Sequence, residues 1–435
     1  STFTHDALYR ETSITLPFGS TGSTTAYEYD TFGNKIKETD ALGNITTFEY
    51  DAQNKLIKTT FADGTVKSAT YSAAGLVLSE TDELGNITSH EYDLAGRRIK
   101  TVYPSVFDGI SNTAKSPIEE FFYDNNGNLA GRKDPTGCLW NTVYDSRNRK
   151  IAEVAPAVKR SDNTYARPMS KIVYDNLGNP ISTIDPNGNQ TDTEFDSANR
   201  AIKITFPAVQ VGQGSTLQRP VETKSYDKNG NVISSVNPRG IITNTEYNSF
   251  NKPVKITKNA GDTEANQIIE ELSYDGNGNL EVITDGNGNK TKYIYDAMNR
   301  RTSAIYGYES ETTRSDTWVY DALNMTNRKG VAITYDSRNR ILTENSRTYA
   351  YDPAGRILSV SGYPNANVSY SYDALGRILS ETNGGRTHNY AYDLSSHRVK
   401  SDYGLSSTQL TPTHSLSYKY DTNGRLVSIT DQQNR

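Results

Sequence analysis

Hydrophobic and polar residues alternate along short stretches throughout this chain of 435 residues. In Asn44–Tyr50, for example, Phe48 and Tyr50 fall on one face of an extended strand and Glu49 on the other, because successive side chains of a strand point to opposite faces. The stretches are rich in Thr, Ile, Val and Tyr, which favour strands, and none shows a convincing helical period. The pattern predicts an all-β chain.

Polar segments of the form D-x-x-G-N or D-x-x-G-R separate the alternating stretches, as at Asp30–Asn34 and Asp40–Asn44. An aspartate in the first position accepts hydrogen bonds from backbone N–H groups, and a glycine in the fourth tolerates a positive φ. This chemistry is typical of a type I turn with a following bulge, so we expect antiparallel hairpins.

Most of these turns begin with a Tyr-Asp pair that recurs in tandem, usually every 21 residues and in some places every 30 or 31. Eighteen units follow one another from Ala26 to the C-terminus, each with two turns, and they predict roughly 36 short strands. The pairs begin at Tyr29, Tyr50, Tyr92, Tyr123, Tyr144, Tyr174, Tyr226, Tyr274, Tyr295, Tyr320, Tyr335, Tyr351, Tyr372, Tyr392 and Tyr420, with degenerate members at Tyr71, Phe195 and Tyr247.

Three units carry about ten extra residues, at Ser105–Pro117, Pro156–Pro168 and Pro207–Pro220. Their proline, glycine and serine content predicts longer loops on one edge of the array. Since they fall in alternate units, we expect them to line up in space and to offer a shared face for binding.

The spacing of the units divides the chain into a lead-in at 1–25, a regular array at 26–300, and a continuous array with shorter steps at 301–435. The last part holds 14 of the 30 tyrosines. Here Y-x-Y pairs place two rings on one strand face, and we expect a ladder of tyrosine rings packed across strands. The pairs are Tyr349/Tyr351, Tyr370/Tyr372, Tyr390/Tyr392 and Tyr418/Tyr420.

Composition narrows the structures and partners that are possible for this chain. Only 34% of the residues are hydrophobic, which is too little for two or three conventional cores but enough for a thin, solvated sheet built on tyrosine. The formal charge of −5 argues against a nucleic-acid partner, and no apolar run is long enough to span a bilayer. Since Cys138 is the only cysteine, an internal disulfide and a zinc site with several cysteine ligands are excluded.

In-register copies of Y-D-x-x-G-N/R and T-D-x-x-G-N over about 410 residues resemble the YD or RHS repeats. These repeats occur in bacterial Rhs proteins, the B and C components of Tc toxins, wall-associated proteins and teneurins. The resemblance implies tandem β-hairpins that form a spiralling antiparallel sheet, part or all of a hollow shell, which in the toxin members encloses a C-terminal polypeptide.

One segment, Asp134–Gly137, is similar to the D-P-x-G cleavage motif of the toxin members. It lies in the register of the second turn of a repeat, like Asp185–Asn189, and proline suits the second position of a type I turn. We therefore expect an ordinary turn, and we do not carry self-cleavage or an effector domain over to this chain.

Candidate chemistry is sparse, and we assign no catalytic, cofactor-binding or metal-binding residue. The segments Asp275–Asn279 and Asp285–Asn289 begin like calcium loops, but the twelfth position from Asp275 is Gly286, which favours structural turns. Among the histidines, His388 and His397 lie close in sequence between tyrosines and could form a Tyr/His proton-transfer pair. The other histidines, expected in packing or surface roles, are His5, His90 and His414.

Tyrosines outside the repeat register are the better candidates for stacking on a sugar ring or a partner. They are Tyr103, Tyr165, Tyr306, Tyr308, Tyr363 and Tyr403.

Three functions remain open at this point. The leading one is a scaffold of a secreted or cell-surface bacterial protein that encloses or displays a polypeptide, with polypeptide cargo or neighbouring segments of the same shell as partners. The second is a carbohydrate-binding or adhesive module that contacts glycans. The third is a polysaccharide lyase that uses Tyr or His as acid and base, with Arg and Lys neutralising uronate.

Overall fold

The computed structural model describes residues 1–159, 163–210, 216–263, 266–362, 367–406, 409 and 411–431. These residues form β-strands and turns, and there is no α-helix among them. In that part of the chain no helix is long and apolar enough to cross a membrane.

The strands follow one another at short intervals along the whole chain. The first sixteen are β1 (Thr2–His5), β2 (Glu11–Leu16), β3 (Ser23–Tyr29), β4 (Lys35–Thr39), β5 (Ile45–Tyr50), β6 (Leu56–Thr60), β7 (Val66–Tyr71), β8 (Val77–Thr81), β9 (Ile87–Tyr92), β10 (Arg98–Val102), β11 (Val106–Asp108), β12 (Thr113–Lys115), β13 (Ile118–Tyr123), β14 (Leu129–Lys133), β15 (Leu139–Tyr144) and β16 (Lys150–Val154). The next sixteen are β17 (Val158–Lys159), β18 (Tyr165–Ala166), β19 (Met169–Tyr174), β20 (Pro180–Ile184), β21 (Gln190–Phe195), β22 (Ala201–Thr205), β23 (Val209–Gln210), β24 (Leu217–Gln218), β25 (Val221–Tyr226), β26 (Val232–Val236), β27 (Ile242–Tyr247), β28 (Pro253–Lys258), β29 (Ile268–Tyr274), β30 (Leu280–Thr284), β31 (Lys290–Tyr295) and β32 (Arg301–Tyr306). The last twelve are β33 (Arg314–Tyr320), β34 (Met325–Arg328), β35 (Val331–Tyr335), β36 (Ile341–Glu344), β37 (Arg347–Tyr351), β38 (Ile357–Ser361), β39 (Val368–Tyr372), β40 (Ile378–Asn383), β41 (Arg386–Tyr392), β42 (Arg398–Leu405), β43 (His414–Tyr420) and β44 (Leu426–Asp431).

One antiparallel sheet contains 38 of these strands, which confirms the prediction of an all-β hairpin array. The eighteen repeat units contribute the predicted 36, and β1 and β2 of the lead-in add two more. The hairpins β11–β12, β17–β18 and β23–β24 are separate two-stranded sheets within the three predicted loop insertions. Tyr-Asp hairpins share a register shift just before the tyrosine, as between Glu49 and Tyr50 where β5 pairs with β6.

Most turns are closed by an aspartate in their first position. Asp30 accepts the backbone N–H groups of Phe32 and Asn34 on Oδ1, both at 2.9 Å, and the side-chain amide of Asn34 on Oδ2 at 2.8 Å. These hydrogen bonds, led by the one from the Asn34 side chain, hold the pKa of Asp30 below its usual value. Gly33 has a φ of 91°, as the turn requires. The repeated D-x-x-G-N sequence is therefore a complete hydrogen-bonding unit.

Two glycines of one turn, Gly276 and Gly278, offer a matched test of this geometry. Gly278 has a φ of 83°, whereas a Cβ added to Gly276 meets open space and that residue has no positive φ. We expect Gly278→Ala to lower the free energy of unfolding by about 1 to 2 kcal/mol, the cost of a side chain in the left-handed region, while the flexible Lys252 side chain moves away from the added methyl group. Gly276→Ala should change it by less than about 1 kcal/mol, in the stabilising direction. Urea denaturation of both variants makes the comparison, and equal effects would contradict the turn assignment.

The tyrosine that precedes each aspartate ties its hairpin to the preceding one. Tyr50, for example, donates its hydroxyl hydrogen to the backbone oxygen of Lys35, at 2.9 Å. Burial raises the pKa of Tyr50, so the hydroxyl stays a donor. Equivalent bonds to a preceding strand are made by Tyr29, Tyr71, Tyr92, Tyr123, Tyr174, Tyr226, Tyr247, Tyr274, Tyr295, Tyr335, Tyr351, Tyr372, Tyr392 and Tyr420.

Where the fifth turn residue is arginine, it links consecutive turns. Arg200 donates from Nε to Asp196 Oδ2 at 2.8 Å and from Nη1 to the backbone oxygen of Asp227 at 2.9 Å. Its guanidinium carbon lies 4.7 Å from the ring centre of Tyr226. The same three contacts are made by Arg10, Arg149, Arg340, Arg356 and Arg377.

This arrangement corrects the expected ladder of tyrosine rings. Tyr370 and Tyr372 of one strand are in ring contact, with centroids 6.5 Å apart. Across strands, however, arginine lies between the rings, as Arg398 does against both Tyr390 and Tyr418. The physical reason is spacing: equivalent tyrosines are two strands apart, roughly 9.6 Å, which is too far for direct ring contact and wide enough for a guanidinium group.

Few side chains of the sheet are deeply buried. Among the described residues the buried hydrophobic ones are Val106, Ala152, Ala304, Trp318 and Ile333, against 38 large hydrophobic residues that are exposed. The repeats are therefore joined by strand pairing and by the turn contacts rather than by a thick apolar core, as the low hydrophobic content predicted.

The chain forms two compact units. Unit 1 comprises Ser1–Asn141, Ala155–Arg167 and Val319–Arg435, and unit 2 comprises Thr142–Val154 and Pro168–Trp318.

Candidate functional site

Unit 1 brings together repeats from the two ends of the sequence, and an ionic cluster marks one place where they meet. Arg338 lies in the turn between β35 and β36, and its guanidinium contacts Glu83 at 3.2 Å and Asp63 at 3.6 Å. It also lies over the ring of Phe61, 4.1 Å from the centroid. The Glu83 side chain is only 3% exposed, so this charge depends on its cationic partners.

Neighbouring groups extend the cluster. Arg340 binds Asp63 at 3.3 Å, and Asn339 donates its side-chain amide to Asp40 Oδ2 at 3.1 Å. Burial alone would raise the pKa of Asp63, but the hydrogen bonds from Thr65 and the charges of the two arginines hold it below its usual value. These residues are 255 to 299 positions apart in sequence, so the turn at 336–340 fastens the C-terminal repeats to the N-terminal ones.

The first insertion also contacts a repeat that is distant in sequence. In the hairpin β11–β12, the backbone N–H of Gly109 donates to the backbone oxygen of Tyr392 at 2.7 Å. A Cβ on Gly109 would lie 2.7 Å from Val399 Cγ2 and 3.0 Å from Ala391 Cβ. The second insertion also reaches this region, because Thr422 donates a hydroxyl hydrogen to the backbone oxygen of Ala157. The first and second insertions thus contact C-terminal repeats of unit 1.

Gly109→Ala should therefore loosen the first insertion from β41 and β42. We expect a loss of about 1 to 3 kcal/mol in the free energy of unfolding, the usual cost of an extra methyl group in a close contact. Val399→Ala removes the nearest obstructing atom, so the double variant should recover part of the loss. A double-mutant cycle by chemical denaturation measures this coupling, and strictly additive effects would show that the contact is absent.

Two cavities lie in unit 1 between the contacting repeats. Cavity A has a volume of about 430 Å³ and is lined by Tyr103, Pro117, Glu119, Arg132, Asp134, Pro135, Trp140, Leu375, Leu394, Ser395, Ser396, His397, Asn423 and Gly424. Cavity B has a volume of about 570 Å³ and is lined by Leu56, Ile57, Lys58, Thr59, Lys67, Ser68, Ala69, Tyr71, Glu80, Thr81, Asp82, Asn86, Thr88, Tyr103, Pro104, Ala374 and Leu375. Tyr103 and Leu375 line both, so the two cavities are neighbours.

One wall of cavity A is built on consecutive strands. Arg132 of β14 is the cross-strand partner of Trp140 in β15 and of Phe121 in β13, so these side chains share a sheet face. Glu119 lies two residues before Phe121 on that face; its carboxylate accepts from Arg132 Nη1 and from the hydroxyl of Tyr103, both at 2.8 Å. Burial, and then the bond to Glu119, raises the pKa of Tyr103.

The opposite wall of cavity A consists of turns from the C-terminal repeats. His397 donates from Nδ1 to Asp393 Oδ2 at 2.9 Å, and its ring stacks on that of Tyr420 with the centroids 4.9 Å apart. It occupies the fifth turn position, where other turns have arginine. Ser395 reaches across to the N-terminal repeats, with its Oγ 3.3 Å from Thr136 Oγ1.

The Asp134–Gly137 segment is an ordinary turn, as expected. Gly137 donates its backbone N–H to the backbone oxygen of Asp134 at 2.8 Å and has a φ of 88°. The calcium-like segments are turns as well: Asp275 accepts from the backbone of Asn277 and Asn279 and from the Asn279 side chain. Within the described ranges, no three His, Cys, Asp or Glu side chains are grouped so that they could hold a metal ion.

His388 and His397, the histidines considered for Tyr/His proton transfer, lie beside different tyrosines. His388 lies near the start of β41, with its ring 5.1 Å from Tyr403, whereas His397 lies in the turn after that strand. His414 is the other histidine beside Tyr403, at 6.3 Å. Close by, Tyr418 has a lowered pKa: burial would raise it, but the hydroxyls of Ser401 and Tyr403 and the charge of Arg398 outweigh burial. Tyr418 is not among the residues that line cavity A or cavity B.

The other candidates are spread over the molecule. His90 is buried and contacts Thr101, at 3.1 Å. Tyr306 donates to Asp316 at 3.1 Å, Tyr308 lies under Lys292, and Tyr165 is 70% exposed on its own. Tyr363 lies outside the described residues. Tyr103 lines both cavity A and cavity B.

The fold defines a class of protein. Its tandem Tyr-Asp hairpins are joined by contacts between consecutive turns. The RHS repeat family model matches four segments, residues 35–66, 71–105, 274–311 and 351–388. These four segments of the chain are RHS repeats.

Known proteins are similar to the chain in sequence or in fold. The chain is 33% identical to teneurin-4 of Mus musculus over 112 residues, which are 24% of this chain and 4% of teneurin-4. In fold it is similar to the crystal structure of TcdB2-TccC3-TEV, with a TM-score of 0.63 and 15% identity over 99% of this chain and 25% of that chain. The Photorhabdus luminescens Tc holotoxin pore gives a TM-score of 0.61 at 15% identity, with the same coverage. The chain thus spans about a quarter of the length of these solved structures.

Proposed function

We propose that this chain is a section of a secreted or cell-surface bacterial scaffold that encloses or displays a polypeptide. The observation that carries the proposal is the exposed sheet: 38 large hydrophobic side chains of the described residues are exposed, and most lie in or beside strands. Extensive exposed apolar surface marks a site of interaction with protein rather than a surface that faces only water.

The regular spacing of these side chains supports the same proposal. First strand positions such as Ile45, Val66, Ile87, Ile118 and Leu139 are exposed in successive hairpins. An extended or unfolded polypeptide presents apolar side chains at irregular intervals, and a long array of equivalent apolar positions accepts it without requiring one sequence. The similarity in fold to the TcdB2-TccC3 structures agrees with this role and supplies its family context.

The test is binding and protection of an unfolded polypeptide. Fluorescently labelled, reduced and carboxymethylated α-lactalbumin serves as the probe, and native α-lactalbumin serves as the control. We expect saturable binding of the unfolded probe by fluorescence anisotropy, and slower digestion of the bound probe by proteinase K. Unchanged anisotropy and unchanged digestion, with a correctly folded chain, would refute the proposal.

The two other hypotheses are separated by parallel assays. Binding on a glycan array without binding of the unfolded probe would favour an adhesive module. Ultraviolet absorbance of an unsaturated product from a uronic-acid polymer would favour a lyase. The raised pKa of Tyr103 argues against its use as the base in cavity A, because a tyrosinate is then harder to form.

A further inference from the structure

Seven asparagines of this chain are followed directly by glycine. Such an asparagine can lose its side-chain amide without an enzyme, when the backbone nitrogen of the next residue attacks the side-chain carbonyl carbon and ammonia leaves. Glycine favours this deamidation because it has no Cβ to obstruct the attack. The seven asparagines are Asn126, Asn187, Asn229, Asn277, Asn287, Asn383 and Asn423.

Six of the seven lie in turns that begin with aspartate, and these turns hold the attacking nitrogen in place. In one of them, Asn277 donates its backbone N–H to Asp275 Oδ1 at 2.9 Å, and Gly278 donates its backbone N–H to the backbone oxygen of Asp275, also at 2.9 Å. The nitrogen of Gly278 can therefore attack only after the turn opens. Both bonds recur in the turns of Asn126, Asn187, Asn229, Asn287 and Asn423.

Asn383 lies in a different kind of turn. It pairs with Arg386 where β40 meets β41, so Gly384 and Gly385 form a two-residue hairpin loop. Their φ values of 56° and 77° are those of a type I′ turn, which requires a positive φ at both central positions. The bond that closes a β-turn joins its first carbonyl to its fourth N–H and does not use the second N–H. Among the described residues, the structure gives the backbone N–H of Gly384 no hydrogen bond.

The side chain of Asn383 is also unconstrained. Residues 383–386 are exposed, and a Cβ built on Gly384 meets no heavy atom within 4 Å. In contrast, the side chain of Asn229 donates to Asn251 Oδ1 at 3.0 Å, and the side-chain oxygen of Asn423 is buried. At Asn383 the attacking nitrogen can therefore approach its target carbon without first breaking a hydrogen bond of its own.

We propose that Asn383 is a site of spontaneous deamidation in the folded protein and that the six turn asparagines are protected. The Gly384 nitrogen loses its proton and bonds to Asn383 Cγ, and the side-chain amide takes up a proton and leaves as ammonia. A water molecule then opens the resulting succinimide at either of its two carbonyls. The products are aspartate and isoaspartate. This site does not depend on the proposed binding of a polypeptide.

Either product changes the tip of the β40–β41 hairpin. Both add one negative charge opposite Arg386, a favourable cross-strand position for a carboxylate. Isoaspartate also adds a carbon to the main chain, which disturbs the register that places Thr382 Oγ1 2.8 Å from Thr387 Oγ1. The modified chain is therefore separable from the unmodified one by ion exchange.

Peptide mapping of the aged protein tests the proposal. The full chain is incubated in mildly alkaline buffer, folded in one sample and unfolded in urea in the other, and then digested with an acid protease. Mass spectrometry measures the conversion of each asparagine, and we expect similar rates at all seven in urea. In the folded chain Asn383 should stay within about threefold of its rate in urea, whereas the six turn asparagines should react at least about tenfold more slowly than in urea.

A pair of glycine variants tests the attacking atom. Gly384→Ala should slow the conversion of Asn383 at least about tenfold, because the new Cβ obstructs the attacking nitrogen. Gly385→Ala is the matched control, since this residue also has a positive φ and open space around it but does not supply that nitrogen. Equal slowing by both substitutions would contradict the assignment. Circular dichroism confirms that both variants are folded.

Two turns of identical sequence, Asp275–Asn279 and Asp285–Asn289, test the protection. Asp275→Ala removes the carboxylate that holds the backbone of Asn277 and Asn279. Conversion of Asn277 should then exceed that of Asn287 in the same chain by at least about threefold, the effect of losing a hydrogen bond. Equal conversion at these two asparagines would show that the aspartate gives no protection.

Two results from the unmodified chain would overturn the proposal as a whole. One is that Asn383 reacts in the folded chain as slowly as the six turn asparagines. The other is that one of those six reacts faster than Asn383 while the chain stays folded.

Discussion

Replacing Arg338 with alanine is expected to lower the free energy of unfolding by about 3 kcal/mol, the cost of leaving a buried charge without its partner. The Glu83 side chain is 3% exposed and would keep its ion pair with Lys67, at 3.4 Å. The variant also loses the contact with Phe61 and the bond to Thr65. Because all these groups are distant from Arg338 in sequence, the substitution weakens the contact between the C-terminal and N-terminal repeats. Chemical denaturation measures the change in the free energy of unfolding.

The chain provides its own control for this prediction. Tyr144–Arg149 and Tyr335–Arg340 have the same six-residue sequence, so Arg147 is the counterpart of Arg338. Arg147 is exposed and donates to the backbone oxygen of Asn176, and Arg147→Ala should cost less than about 1 kcal/mol. In addition, Glu83→Gln should reduce the effect of Arg338→Ala. Equal losses at Arg147 and Arg338 would contradict the ionic cluster.

Arg377→Ala is expected to have a comparable effect, about 3 kcal/mol, through contacts between consecutive turns. Arg377 and its partner Asp373 have side chains only 9% and 7% exposed. Arg377 also donates to the backbone oxygen of Asp393 at 2.7 Å and lies over the ring of Tyr392. Thermal and urea denaturation should both show the loss, and Arg377→Lys should restore only part of it, because an ammonium group cannot make all these contacts at once.

Arg97 is the matched control, since it has the same turn position, pairs with Asp93 and lies over Tyr123. Its side chain is 36% exposed, so water screens the pair, and Arg97→Ala should cost less than about 1 kcal/mol. If the two arginines gave the same small loss, the turn-to-turn contacts would not be what stabilises the array.

The repeat period was sufficient to predict the sheet. Because each Tyr-Asp turn fixes a hairpin and pairing is between neighbours, the eighteen units specify 36 strands and their order. The hairpin of the lead-in was missed because its turn, Asp6–Arg10, has Tyr9 where most other turns have glycine or asparagine. Tyr9 has a φ of 60°, and Asp6 pairs with Arg10 as in the other turns, so the Asp and Arg spacing was the available signal.

The contacts that build the candidate site could not be predicted from the sequence. The hexapeptide that occurs twice shows why. Arg338 in one copy contacts a distant repeat, whereas Arg147 in the other contacts the next turn. A repeat period determines which hairpins are neighbours, but it does not determine where distant hairpins meet. Similarly, nothing in the composition of the first insertion distinguishes Gly109 as the residue that contacts β41. Tyr103 was identified as a candidate because it lies outside the repeat register. No feature of the sequence distinguishes Arg132 and Trp140 from other strand residues.

The central claim is that N-terminal and C-terminal repeats meet around the cavities of unit 1. Thr136 and Ser395 are 259 residues apart, yet their hydroxyl oxygens are 3.3 Å apart. With Cys138 replaced by serine, cysteines at these two positions are close enough to form a disulfide. Mild oxidation of the Thr136→Cys/Ser395→Cys variant should give an intramolecular crosslink, visible as a mobility shift in non-reducing electrophoresis and located by mass spectrometry. The account predicts rapid crosslinking of the folded chain, with none in a Thr136→Cys/Ser371→Cys control; two cysteines that stay reduced in folded protein would contradict it.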